Sequence, residues 1–200
     1  NAVNIKKSYK LIMAIADGMG GHLDGHIASK VAIEYLREKE FDKINEETFI
    51  EINKQFIELN RGSLTAKAMG TTLTLIKVSN DKLECLSVGD SPVYLIKSNS
   101  CEVFNRLDQL EKKSPIITNC LGANTSSKEL KVHYNTSSLL NIDGVIICSD
   151  GVSNKLNEQE ILKLFNNNTK DLAHALVTKA IEKGSEDNAS VALIKFKYDV

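Results

Sequence analysis

Leu11-Ile12-Met13-Ala14-Ile15-Ala16 is an unbroken apolar run that stops at Asp17 among glycines. Such a run is too short for a stable helix, and its closure by Asp-Gly predicts a buried strand. Beyond Gly21 the period changes. Ala28, Val31, Ala32, Tyr35 and Leu36 recur at helical spacing, which predicts a helix over about 25–37 with one apolar face. A second helix is expected after Asn45, a good cap, with acids in its first turn and Phe49, Ile52, Phe56 and Leu59 spaced along it. Positions 70–78 alternate and are rich in β-branched residues. Asn80-Asp81 then supplies a hairpin turn into 83–88, and Gly89-Asp90-Ser91-Pro92 supplies another, so that 93–96 is expected to continue one antiparallel meander. Positions 107–121 are irregular and charged, as in a surface flap.

Val145-Ile146-Ile147-Cys148 runs straight into Ser149-Asp150-Gly151 and repeats the opening device of an acid at the end of a buried strand. Helices are expected over about 158–165 and 171–183, the latter ended by Gly184. Ser185-Glu186-Asp187-Asn188 makes a turn, and 189–196 forms a last strand. Strand, two helices, several strands, two helices and a strand describe an α+β fold with helices segregated from an antiparallel core.

Composition narrows the classes. Two hundred residues, 42% of them hydrophobic, suffice for one sizeable core and a single domain over 1–200. A net charge of −1 with scattered basic residues leaves no electrostatic footprint for nucleic acid or an anionic membrane. No apolar run approaches the roughly 20 residues of a membrane span. Cys85, Cys101, Cys120 and Cys148 match no zinc or dithiol spacing and read as reduced, packed thiols, so a cytoplasmic location is expected. His22 and His26 stand four apart, but Gly25 intervenes and no third zinc ligand is evident.

Asp17, Asp150 and Asp187 each lie where a buried strand meets a turn, so a rigid sheet edge could gather them. A carboxylate beside glycine carbonyls suits a hard cation such as Mg²⁺ or Mn²⁺. Two such ions about 3.5–4 Å apart lower the pKa of water toward about 7 and offset charge on a phosphoryl group. The alternative is that each acid caps its own turn.

Asp17-Gly18-Met19-Gly20-Gly21-His22 with Gly25 and Ala28-Ser29, then Met69-Gly70-Thr71-Thr72, Val88-Gly89-Asp90-Ser91, Cys148-Ser149-Asp150-Gly151 and Glu186-Asp187-Asn188, resemble the ordered motifs of the metal-dependent protein phosphatases of type 2C, bacterial branch, over about 11–196. The resemblance implies a four-layer α-β-β-α sandwich of two antiparallel sheets flanked by helix pairs. It also implies hydrolysis of phosphoserine and phosphothreonine on phosphorylated proteins, such as the targets of a serine/threonine kinase. Carried over by position, Asp17 would bridge two Mn²⁺ or Mg²⁺ ions, the Gly18 carbonyl would ligate one, and Asp150 and Asp187 would be terminal ligands of the other. Asn188 would orient Asp187, Asp90 would support the site from its turn, and Asp108 aligns with a flap acid that helps hold a third ion.

The departures are specific. Family members carry a phosphate-binding Arg and an acidic segment upstream of the first strand, whereas nothing before Asp17 is acidic and that Arg is not present in this chain. The sequence is therefore expected to begin just downstream of that segment. Pro92 stands where Arg usually follows Gly-Asp-Ser, Met19 stands where eukaryotic relatives carry His, and the 107–121 flap is short. These departures motivate a second reading, a regulatory phosphoprotein-binding module with the fold retained and the metal site incomplete.

Overall fold

The computed structural model describes residues 2–4, 10–19, 22–61, 69–111, 114, 116–122, 130–167 and 170–197. Strands β1 (Ala2–Asn4), β2 (Lys10–Ile15) and β3 (Gly18–Met19) precede helices α1 (His22–Arg37) and α2 (Glu46–Arg61). Six strands follow: β4 (Gly70–Thr71), β5 (Leu73–Ser79), β6 (Lys82–Val88), β7 (Val93–Lys97), β8 (Ser100–Val103) and β9 (His133–Ser138). Strand β10 (Gly144–Cys148) leads into α3 (Asp150–Ser153), α4 (Glu158–Asn166) and α5 (Leu172–Glu182), and β11 (Val191–Lys197) closes the sequence of elements.

One sheet has the order β1-β11-β10-β7-β8 and the other β2-β5-β6-β9, with β3 and β4 forming a small ribbon. The β5–β6 hairpin turns through Asn80 in the left-handed region, φ 51°, which asparagine tolerates. Three apolar layers account for the unbroken hydrophobic runs of β5 and β10, because each strand is covered on both faces. Ile76, Val78 and Cys85 of one sheet meet Leu95, Val145 and Ile147 of the other between the sheets. Leu73, Leu75 and Leu86 face Ala28, Phe49 and Phe56 of α1 and α2. Tyr94, Ile146 and Cys148 face Val152, Ile161 and Leu176 on the opposite side. Each such fully buried side chain contributes roughly 1.5–3 kcal/mol. The α+β, four-layer sandwich expected from the motifs is the observed architecture.

Four details differ from the sequence expectation. The meander does not continue through 93–96: β6 pairs with β5 and β9, whereas β7 pairs with β10 and β8 in the other sheet. The Gly89–Pro92 link is a crossover between sheets, and its polar groups are captured, since Thr74 Oγ1 and Asn105 Nδ2 both donate to the Ser91 carbonyl. Next, β1 pairs parallel to β11, so that sheet is mixed. Helix α1 begins at His22 and contains Gly25, where the sequence pattern starts only at Gly25, a poor helix former. Finally, β8 and the single-turn α3 are too short to register in a periodicity reading.

Candidate active site

Asp17 is held by its main chain. Thr72 N and Thr71 Oγ1 both donate to the Asp17 carbonyl at 2.9 Å, and the Asp17 amide donates to Thr72 Oγ1 at 3.0 Å. These contacts spend the backbone groups of the turn and leave the carboxyl to its surroundings. Next to it, the Gly18 backbone lies against the first turn of α1 so closely that a Cβ on Gly18 would fall 1.8 Å from the Gly25 carbonyl oxygen. Gly18 and Gly25 are therefore required by backbone contact.

Asp150 opens α3 at the end of β10, with Asn154 Nδ2 donating to its Oδ2 at 3.3 Å. Its other oxygen, Oδ1, is buried and receives no hydrogen bond. Ser149 staples this strand end to the last turn: its amide donates to the Ser190 carbonyl, and its hydroxyl donates to the Asn188 carbonyl and accepts from the Ser190 amide. Asp187 thereby reaches the same edge, its Oδ1 accepting from the Asn188 amide at 2.7 Å. Asn188 orients this acid through its main chain.

The acids act on one another. Burial, then the neighbouring charges of Asp150, Asp187 and Asp90, push the Asp17 carboxyl up to about 7, and Asp17 and Asp150 are within hydrogen-bonding reach. Burial and Asp187 raise Asp150, and burial raises the 3% exposed Asp90 against a hydrogen bond from Gln109 that pulls it down. A polar cleft of about 590 Å³ opens in front, lined by Asp17, Gly18, His26, Ser149 and Asp187, with no lysine or arginine among its described residues.

No three His, Cys, Asp or Glu side chains among the described residues close into a ligand cage. The centre instead presents concentrated negative charge, an acid raised to about 7 and an orphaned buried carboxylate oxygen. That donor set is all oxygen and fits a hard divalent cation.

A sequence profile of protein phosphatase 2C matches residues 2–184. The chain belongs to the protein phosphatase 2C family. It is 26% identical to a serine/threonine phosphatase, stp, of Listeria welshimeri, over 94% of this chain and 86% of that one. It is likewise 26% identical to the protein phosphatase PhpP of Streptococcus pneumoniae, over 95% and 87%. The fold superposes on the serine/threonine phosphatase Stp1 of Staphylococcus aureus with a TM-score of 0.83, at 22% identity, covering 98% of this chain and 90% of that one.

Protein phosphatases 2C are metal-dependent, and the structure gathers Asp17 and Gly18, which follow a strand end of one sheet, with Asp150 and Asp187 at strand ends of the other, close enough for these acids and Asp90 to act on Asp17. Asp108 is used differently. Its Oδ2 accepts from the Gly89 amide at 3.0 Å and from Asn119 Nδ2 at 2.8 Å, and its Oδ1 meets His133 Nε2 at 2.7 Å. Three of a carboxylate's roughly four acceptor positions are taken, so the third-ion role expected of Asp108 does not fit its surroundings. Cys148, fully buried, is pushed well above the ordinary thiol range and is a packing residue. Sequence inspection alone did not assign Thr71, Thr72 and Ser149, because their roles rest on contacts to residues 39 to 55 positions away. His22 falls among side chains that are not described, while His26 lines the cleft.

Proposed function

We propose that this family member is a protein serine/threonine phosphatase that hydrolyses phosphoserine and phosphothreonine with two Mn²⁺ or Mg²⁺ ions held by Asp17, the Gly18 carbonyl, Asp150 and Asp187. The observation that carries this reading is the gathering of three acids from distant strand ends, one of them with an unsatisfied buried oxygen. Bound divalent ions supply Lewis acidity, which makes water nucleophilic near neutral pH and offsets charge on the phosphoryl oxygens. The chain's own residues hold and orient. Asp17, on which the charges of Asp150 and Asp187 converge, would hold the ions jointly with Asp150 and Asp187, and the Thr71–Thr72 contacts and the Asn188 amide fix two of these acids in direction.

No cationic side chain among the described residues lines the cleft, so charge balance for a phosphate dianion would fall to bound ions. No helix of the described residues is long and apolar enough to cross a membrane. None of the four cysteines forms a disulfide and three are buried, which fits a reducing cytoplasm. Substrates are then cytoplasmic phosphoproteins, the products of a serine/threonine kinase.

Hydrolysis of a phosphothreonine peptide should require Mn²⁺ or Mg²⁺ and cease with a chelator. Activity that survives chelation, or Asp150→Asn, would overturn the metal assignment. Phosphopeptide binding without turnover would indicate a regulatory binding module.

A further inference from the structure

Asp108 lies 7% exposed at the root of the flap, where four segments distant in sequence meet. Its main chain is paired with Gly89, the Asp108 amide donating to the Gly89 carbonyl at 2.9 Å, and its side chain accepts from the Gly89 amide at 3.0 Å. Gly89 sits in the left-handed region, φ +102°, packed so tightly on Thr72 that a Cβ would fall 2.6 Å from its side chain. Thr72 is the residue that accepts from the Asp17 amide, and its hydroxyl also lies 3.2 Å from Ser91 Oγ. From the other side, His133 on the edge strand β9 and Asn119 clamp the carboxylate, and Asn119 is itself tied to the Lys131 carbonyl at 2.8 Å. The residue after Asp108, Gln109, holds Asp90 Oδ2 at 3.2 Å.

We infer that Asp108 is a positioning residue, clamped between His133 and the Gly89 amide so that the Gly89–Ser91 turn presents Asp90 to Asp17 and Asp150, and that it does this instead of ligating a third ion. The inference rests on the phosphatase reading for its kinetic consequence and on contacts alone for its structural one. A carboxylate that takes three donors has roughly one acceptor position left, and turning it further toward an ion would break its bond to the sheet crossover. His133 thus matters through Asp108, without touching substrate.

Asp108→Asn and Asp108→Ala separate the two roles. An amide retains an acceptor for the Gly89 amide but is a poor ligand, whereas alanine removes both. Asp108→Asn is expected to retain hydrolysis within about threefold and the same number of bound Mn²⁺ ions by calorimetric titration. Asp108→Ala is expected to lower kcat by roughly 10–100-fold with KM little changed, and to speed hydrogen exchange of the Gly89 amide at least about tenfold. Because Asp108→Ala removes a buried group, His133→Ala and His133→Gln form a second pair, of which the glutamine variant should restore the donor and the wild-type exchange rate. Loss of one bound Mn²⁺ in Asp108→Asn overturns the inference. So does unchanged Gly89 exchange in both alanine variants. Exchange is read without substrate, so a wild-type protein with no metal-dependent turnover would defeat the phosphatase reading and leave the exchange result to decide this one.

Discussion

Two strand ends, Ile15-Ala16-Asp17-Gly18 and Cys148-Ser149-Asp150-Gly151, look alike in sequence and are built differently. At the first, the chain continues in extended form into β3, and the acid's main chain is pinned by the hydroxyls of Thr71 and Thr72 while its carboxyl meets Asp150. At the second, the acid begins a helical turn, and Asn154 donates to the carboxylate itself. Asp17 is raised first by burial and then by the charges of its acidic neighbours, these influences all pushing the same way, to about 7. Burial and Asp187 raise Asp150 in the same direction, but hydrogen bonds with Asp17, the Gly151 amide and Asn154 oppose the shift. The same local motif thus yields one acid fixed through its main chain and one fixed through its carboxylate.

The largest test of this contrast is loss of either carboxylate charge. Asp17→Asn and Asp150→Asn are each expected to lower kcat on a phosphothreonine peptide by about 10²–10³-fold, the scale of removing a preorganised electrostatic group. If Asp17→Asn alone kept near-wild-type turnover in Mn²⁺, the bridging assignment would fail.

The glycines come next. Gly18→Ala places a Cβ 1.8 Å from the Gly25 oxygen, and Gly151→Ala places one 2.4 Å from the Asn188 oxygen, both backbone atoms that cannot rotate away. Thermal unfolding should show a loss of about 3 kcal/mol or more for Gly18→Ala and a smaller loss for Gly151→Ala. Equal, negligible shifts would mean that neither approach is needed.

The proton balance is a finer probe. In metal-free protein, Asp17 titrates near 7 when folded and near the ordinary 3.8 when unfolded, so the native state binds the extra proton in between. Stability should be insensitive to this group below pH 4, fall as pH rises from 4 to 7, and stay at the lower level above. The fall should be at most on the order of 4 kcal/mol, less where solvent screens the cluster, absent in Asp17→Asn, and measurable by urea unfolding across that window. A rise in stability with pH that Asp17→Asn abolishes would reverse the sign and remove the cluster as its cause.

Asn154→Ala sharpens the other arm. It removes one long hydrogen bond to Asp150 and should cost roughly threefold in kcat, the lower end of what one such bond contributes. A loss as large as that of Asp150→Asn would make Asn154 part of the reacting group's own environment.

Much of the molecule is legible from local pattern. The apolar run at 145–148 is a strand buried on both faces and that at 11–15 an edge strand with an apolar layer against each face, and the helical spacing of Phe49, Ile52 and Phe56 describes the buried face of α2. The acids Asp17, Asp150 and Asp187 stand out for a physical reason too: each ends or begins a strand at a turn, where a carboxylate can reach a sheet edge. Where the local rule stops is at Gly89-Asp90-Ser91-Pro92. A turn of that composition suits a hairpin, and only the capture of the Ser91 carbonyl by Thr74 and Asn105 sends the chain across to the second sheet.

The sequence by itself determined the element types, the α+β class and the three acids, because apolar period and turn chemistry are encoded within a few residues of each position. Tertiary structure alone decided which sheet β7 joins, that β1 runs parallel to β11, and that Asp108 is occupied by Gly89, Asn119 and His133. Those outcomes depend on hydrogen bonds between residues 11 to 25 positions apart and on strand partners much further apart still. No local pattern records such partners.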